Sequence, residues 1–316
     1  MKGLLVAGAL AMLAILFASK SEGKGPYLSP HPLPSQGAGE GDLIPNLSPI
    51  TRQQPHVKLD FKKEANIDSS NWRLTVGGHH FDCVTKGQPA VVPTIVDDEE
   101  VGKAIRIELQ PTSGAGSDNG RDKINYTVIK GNNPNAPTFD GKLSELSFAV
   151  KLDKDFQTPT TGRDYVVAQW WQGSPFGPPL SLQILRGEKP TDTPKFAFVV
   201  RNMETGGNPS AHVIEIKPTG SDALERGKWY RFKVRAVFGF KEDGRISVSV
   251  NDTETVNWVG SIGYDPSAPA TNIGFKTGKT DRHPNQGIEI YFGPYRDRMA
   301  SSQVFYFADI SYSRHN

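Results

Sequence analysis

Gln169, Trp171, Ser181 and Gln183 fall within one stretch, "QWWQGSPFGPPLSLQIL" at residues 169 to 185, that reads as β-strand. An indole offers a flat apolar platform, and amides and hydroxyls offer paired donors and acceptors. Strand alternation decides which of them share a face. In "YVVAQWW", Val167, Gln169 and Trp171 point one way, and Val166, Ala168 and Trp170 the other. In "PLSLQIL", Leu180, Leu182 and Ile184 take the core, which leaves Ser181 and Gln183 outside. In "RDKINYTV", Ile124, Tyr126 and Val128 form the core set, and Arg121, Lys123, Asn125 and Thr127 face out. Brought onto one curved sheet, that outer face holds aromatics for sugar rings, amides for hydroxyls and cations for carboxylates. This is the inventory of a carbohydrate groove. The plainer readings stand beside it: Trp170 belongs to the core, and the Arg231, Lys233, Arg235 row reads first as a solvated strand face.

The elements that must position these residues are strands. "AIRIELQ", "LSFAVKL", "KWYRFKVRAVF", "RISVSVN" and "VFYFADISY" all alternate apolar and polar residues with period two, the mark of half-buried strands. "KEDGR" at 241 to 245 carries an Asp-Gly hairpin signal between two such runs. More than ten strands without a convincing helix predict two packed antiparallel sheets, a single all-β sandwich of jelly-roll type. The high glycine and proline content, 32 and 24 of 316 residues, agrees with a loop-rich β protein.

The chain divides into three parts. Residues 1–23 read as a secretory signal: Lys2 precedes an uncharged apolar run from Gly3 to Ser19, with small residues following for cleavage. An uncleaved anchor is the alternative, and nothing later could span a membrane. Residues 24–54 are rich in Pro, Gly and Ser and read as a linker or disordered tail. Residues 55–316 form the folded domain, expected to be extracellular and monomeric. A net charge of +2, from 36 Lys and Arg against 34 Asp and Glu, gives no electrostatic case for nucleic acid. Cys83, the single cysteine, reads as a small buried hydrophobe. Asn125 and Asn251 open glycan acceptor triplets, as does Asn46, weakened by Pro49. The acidic run "VDDEE" at 96 to 100 reads as an exposed turn, with a structural calcium as the alternative.

With these stretches in order, the sequence resembles a known family. "VGKAIRIEL", "NGRDKINY", "VVAQWWQGSPFGPPLSLQI", "GKWYRFKVRAVFGFKEDGRISVSVN" and "IEIYFGPYRDRMASSQVFYFADIS" are similar to the glucuronan lyase and heparin lyase I-like polysaccharide lyases, over roughly residues 56 to 313. The resemblance implies a jelly roll with a concave cleft and β-elimination of a uronic-acid polymer such as glucuronan, with no cofactor required for the chemistry. By the same resemblance Tyr295 in "GPYR" serves as base and acid, Gln169 hydrogen-bonds the substrate carboxylate, and Arg121 helps neutralise it. Trp171, Lys123, Asn125, Ser181, Gln183, Arg201 and Arg296 make up the expected substrate-binding set.

Two positions depart from the family's pattern. Trp171 stands where a histidine is usual, and Tyr291 stands where a lysine often lies four residues before the tyrosine. His79, His80, His212 and His283 are therefore the histidines to examine for a base. Two other functions are carried forward: a non-catalytic carbohydrate-binding module on the same scaffold, and a concanavalin-like glycoside hydrolase. The hydrolase needs facing carboxylates, and Glu108 has no evident partner.

Overall fold

The computed structural model describes residues 57–315, apart from 62–63, 87–90, 112–119, 161, 163–164, 174–176, 204–208, 217–223 and 266–286. The predicted signal and linker, residues 1–23 and 24–54, lie outside the described residues, as do Asn46 and His283.

The described residues form eighteen strands and no helix. The first six are β1 (Val57–Leu59), β2 (Ala65–Ile67), β3 (Leu74–Val76), β4 (His79–Phe81), β5 (Cys83–Lys86) and β6 (Thr94–Asp98). Then come β7 (Gly102–Leu109), β8 (Arg121–Ile129), β9 (Ser144–Leu152), β10 (Tyr165–Trp171), β11 (Leu180–Ile184) and β12 (Phe196–Met203). The last six are β13 (Pro209–Glu215), β14 (Trp229–Val237), β15 (Gly239–Val250), β16 (Thr253–Ile262), β17 (Glu289–Asp297) and β18 (Gln303–Arg314). One sheet runs β16-β15-β14-β9-β18-β7-β6, with β1 also on β18. A second runs β13-β12-β11-β10-β17-β8-β5, and β2-β3-β4 make a small third. The pairing between strands is antiparallel throughout. This is the expected jelly-roll sandwich.

The two large sheets are joined by the alternate side chains that the sequence assigns to the core. Phe196 of β12 meets Phe232 of β14 edge-on at 5.4 Å, and Phe292 of β17 meets Phe307 of β18 at 5.3 Å. All four rings are at most 2% exposed. Burying one such ring contributes roughly 1.5–3 kcal/mol, which is why the period-two pattern dictates the register.

Three expectations need correction. The Asp243-Gly244 turn does not close a two-residue hairpin. Val237 pairs Arg245, so the β14–β15 reversal takes all of 238–244, where Glu242 has φ 66° and the Asp243 carboxylate accepts the Lys241 N–H. The tight turn comes one hairpin later, at Asn251-Asp252, where φ is 48° and 64°. The strict alternation of β10 also breaks. A bulge between Val166 and Ala168 puts Val167 into the core and Val166 on the outer face beside Gln183 and Tyr295. Asn125 is no glycan acceptor in the folded chain, because it is 1% exposed. Asn251 is exposed, but its side-chain oxygen accepts the Arg231 N–H at 2.9 Å.

Candidate active site

The seven-stranded sheet brings residues from four separate stretches onto its outer face. Across β11, β10, β17 and β8 one row reads Gln183, Val166, Tyr295, Lys123, and Lys86 on β5 continues it. A second row reads Ser181, Gln169, Tyr291, Thr127. Trp171 is the cross-strand partner of Glu289 one step further on. Of the ten residues expected in the site, nine therefore lie on or beside one face. Arg201 joins them through its guanidinium, which donates to the Ser181 hydroxyl at 3.2 Å.

The floor of this face is crowded. Ser181, Asn125, Gln183, Gln169 and Thr127 are only 0–7% exposed, whereas Trp171, Lys123, Tyr295, Arg121 and Arg201 are half-buried. Gln183 donates to the Ser181 hydroxyl at 2.7 Å, so Ser181, Gln183 and Arg201 form one polar network at the β11–β12 side.

Tyr295 sits at the centre of the other side. Arg121 Nη1 donates to its hydroxyl at 2.8 Å, and Arg121 Nε donates to Asp297 at 3.1 Å. The guanidinium fork thus spans two residues of β17 and fixes the phenol's direction. Lys123 reaches between the two tyrosines, its Nζ 5.2 Å from the Tyr291 ring centre and 5.5 Å from that of Tyr295. Burial lowers the Lys123 ammonium to about 8. The Glu289 carboxylate opposes that shift and the Lys86 charge adds to it. The Tyr291 hydroxyl donates to Glu289, and its ring lies 6.3 Å from that of Trp171. Lys123 of the neighbouring strand β8 thus places a cation over the ring at position 291. The Lys123–Tyr295 register is a long-range pairing that no local motif displays.

A kink in β17 makes this spacing work. Gly293 has φ +116°, and an added Cβ there would lie 2.3 Å from the Ile124 carbonyl oxygen. Pro294 follows where the register is already shifted, so its missing N–H costs little. The Asn125 amide donates to the carbonyl oxygens of Gly293, Ile124 and Pro294. Asn125 therefore holds the kink and does not stand ready for a sugar.

Arg296 is corrected outright. Its side chain is 0% exposed, on the opposite side of β17 from Tyr295. It donates to the carbonyls of Ser301, Leu109 and Gln110, with the Asp122 carboxylate 3.9 Å away. Such a buried cation is tolerable only with that many partners. It ties β17 to the end of β7 and cannot touch a polymer.

The remaining candidates also find places. His79 and His80 are exposed on β4, while His212 packs 6.0 Å from the Trp258 ring at the far edge of the sandwich. No described histidine is in the rows around Tyr295. Arg231 and Arg235 pair with Glu100 and Glu145 on the other large sheet, away from this face. Glu108, also on that sheet, is bound by Arg106, Gln110 and Ser302. Cys83 is half-buried at the start of β5, and burial pushes its thiol up to about 12. In the acidic run, Asp97, Asp98 and Glu100 are engaged by Lys103, Lys151 and Arg231. Among the described residues no group of three His, Cys, Asp or Glu side chains converges as a metal site.

The polysaccharide lyase family model matches residues 65–311, more than three-quarters of the chain. The chain belongs to the polysaccharide lyase family. Membership implies an acidic polysaccharide as the substrate of this polysaccharide lyase. No curated protein sequence matches it. Among solved structures it is similar to an endo-β-1,4-glucuronan lyase from Trichoderma reesei, at 12% identity and TM-score 0.48, covering 73% of this chain and 90% of that one. It is also similar to an alginate lyase from Klebsiella pneumoniae, at 11% identity and TM-score 0.46, covering 70% and 84%. An alginate lyase from Pseudomonas aeruginosa matches at 13% identity and TM-score 0.43, covering 74% and 98%. Among the described residues of the polysaccharide lyase no helix is long and apolar enough to cross a membrane.

Proposed function

We propose that this polysaccharide lyase is secreted and cleaves a polyuronate of the glucuronan type by β-elimination on the outer face of the seven-stranded sheet. The observation that carries this reading is the Lys123–Tyr295 cross-strand pair, with Arg121 on the phenol oxygen. Elimination needs the substrate carboxylate neutralised, the C5 proton removed and the departing O4 protonated. Gln169, in register beside Tyr291, hydrogen-bonds the carboxylate, and the Arg121 charge lies within the same patch. The Lys123 amine takes the C5 proton. The C5–H electron pair becomes the C4–C5 double bond, the C4–O4 bond breaks, and O4 receives the Tyr295 hydroxyl proton. Arg121 then stabilises the phenolate left behind.

Lys123 suits the base role because burial brings its amine near the operating range. This assigns the base to Lys123, where the sequence pointed to Tyr295 alone or a histidine. Trp171, half-buried beside Tyr291, stacks on a sugar ring next to the reacting one. The chemistry proposed for these side chains uses no metal or cofactor. The deciding experiment incubates the purified protein with glucuronan, alginate and a neutral glucan, reading absorbance of the unsaturated product. Product from glucuronan supports the reading; none from either polyuronate overturns it.

A further inference from the structure

The small sheet β2–β4 has no role in the chemistry above, yet it is firmly seated. Leu74, Val76 and Phe81 are buried in the core, and the β3–β4 turn uses Gly77 and Gly78 at φ 55° and 82°. Between this sheet, β1 and the end of β8 lies a cavity of about 600 Å³. That is within the range of small-ligand sites.

Its wall is strongly one-signed. Lys58, Arg73 and Lys130 line it together with His79 and His80, against the single carboxylate of Asp82. Arg73 pairs with Asp82 at 3.1 Å and Lys130 pairs with the other oxygen. Lys130 and then Arg73 hold that carboxyl below its ordinary value despite its partial burial. Both cations keep about half or more of their side-chain surface open, at 48% and 59%, so each retains donors for an incoming anion. Asn132 and Asn133 on the rim are exposed and can serve hydroxyl groups.

The cavity shares one residue with the proposed active face. Thr127 lines it, and Thr127 is also the cross-strand partner of Tyr291. Four residues of β8 separate Thr127 from Lys123, about 13 Å of strand. At that distance a polymer laid along β8 from Lys123 towards Thr127 would reach the cavity after a few sugar units.

We propose that this cavity is a second binding site for the polymer, in which a uronate residue remote from the scissile bond places its carboxylate between Arg73 and Lys130. The proposal rests on the polyuronate lyase reading and adds a subsite that measures chain length. Asp82 orients the two cations and keeps the empty site from excessive self-repulsion.

The test is calorimetry with a long oligoglucuronate, a short one that cannot span from Tyr295 to the cavity, and a carboxyl-reduced long oligomer. The parent and the Arg73→Ala/Lys130→Ala double variant are compared, with thermal melting as a fold check. A second variant, Lys58→Glu, reverses one wall charge and keeps both Asp82 pairs. The long acidic oligomer is expected to bind the parent about tenfold more tightly than either variant. The short oligomer should show no such difference, and reduction should abolish the advantage. In turnover assays the loss should appear in KM on long polymer and not in kcat. Equal affinity of parent and variants for the long acidic oligomer overturns the subsite, whether or not the protein is a lyase. Tight binding that depends on Arg73 and Lys130 in a parent that cleaves no polyuronate would uphold the cavity and overturn the lyase reading instead.

Discussion

Arg121 donates to the Tyr295 hydroxyl at 2.8 Å and to the Asp297 carboxylate at 3.1 Å, bridging two outward residues of the neighbouring strand with one guanidinium. The planar fork does two jobs that a lysine ammonium on a flexible stem cannot do together. Tyr295→Phe keeps the ring and removes the proton donor, so kcat on glucuronan should fall by about two to four powers of ten. Arg121→Lys should lower kcat by about a hundredfold through misplacement of the phenol. Stopped product-absorbance assays at saturating polymer check both. Full activity in Tyr295→Phe would remove the tyrosine from the mechanism.

The Lys123 assignment has a pH signature. Its amine must be neutral to take the C5 proton, and burial lowers the ammonium to about 8. Activity should therefore rise with pH, about tenfold per unit, until it levels above about 8. Lys123→Met should lower kcat by about two to four powers of ten. Lys123→Arg keeps the charge between the tyrosine rings and should be as inactive. An arginine variant with parental kcat would show that Lys123 only neutralises charge.

The kink at Gly293 predicts the sharpest steric effect. Gly293→Ala meets both a φ of +116° and an Ile124 carbonyl oxygen 2.3 Å from the new Cβ. Backbone strain and overpacking should together cost about 2–4 kcal/mol. Chemical denaturation measures the loss. Activity should fall as well, since the kink sets the distance from Tyr291 to Tyr295. A variant as stable as the parent would mean that β17 straightens without penalty.

What could be read from sequence follows from how local each determinant is. Period-two burial is local, so Leu182, Ile124 and Trp170 were assignable to the core and Gln169, Ser181 and Lys123 to the opposite face. Bulges are not local. The extra residue at Val166–Val167 and the Gly293-Pro294 kink each answer to a partner strand, and each reversed or restrained a neighbour. Arg296 follows Tyr295 directly, so alternation alone could have sent it inward. The two stand side by side in "GPYR", yet only Tyr295 keeps the outer face. Asn125 does face outward, but its amide is consumed by the kink, a contact 168 residues away in sequence. The basic cavity is not legible in any one stretch, because its cations lie on β1, just before β3 and just after β8. The local signal that could have pointed there is "LTVGGHHF", a glycine-turn hairpin with two histidines.

Trp171 separates binding from chemistry. Its indole stands beside Tyr291, two rows away from the Tyr295–Lys123 pair, and holds ground and transition states alike. Trp171→Ala should raise KM about tenfold, near the upper worth of an aromatic contact, with kcat nearly kept. Steady-state assays at graded polymer concentrations give both constants. A fall confined to kcat would place the indole in the chemistry. Trp171→His would insert the residue usual in the family, and a lowered pH onset would show that the imidazole reaches the C5 proton.

The last expectation concerns stability on the opposite side of the sandwich. Asp98 at the end of β6 accepts the Trp229 indole N–H at 3.0 Å and the N–H groups of Glu100 and Val101 at 3.0 and 3.2 Å, while Lys151 pairs with its other oxygen. Burial alone would raise its carboxyl, but these donors outweigh burial and hold it at about 2, against an ordinary 3.8. Between those values the unfolded chain binds a proton that the folded one does not. The contribution is therefore complete above about pH 4 and lost as pH falls through about 2, and it amounts to roughly 2 kcal/mol. Asp98→Asn should remove about that much at neutral pH, since Lys151 keeps only 17% of its side-chain surface exposed and loses its counter-charge. Denaturant titrations from pH 7 to 2 should show the stabilities of the parent and of the Asp98→Asn variant converging at the acid end. Parallel curves over that range would mean that Asp98 is not held ionised by the fold.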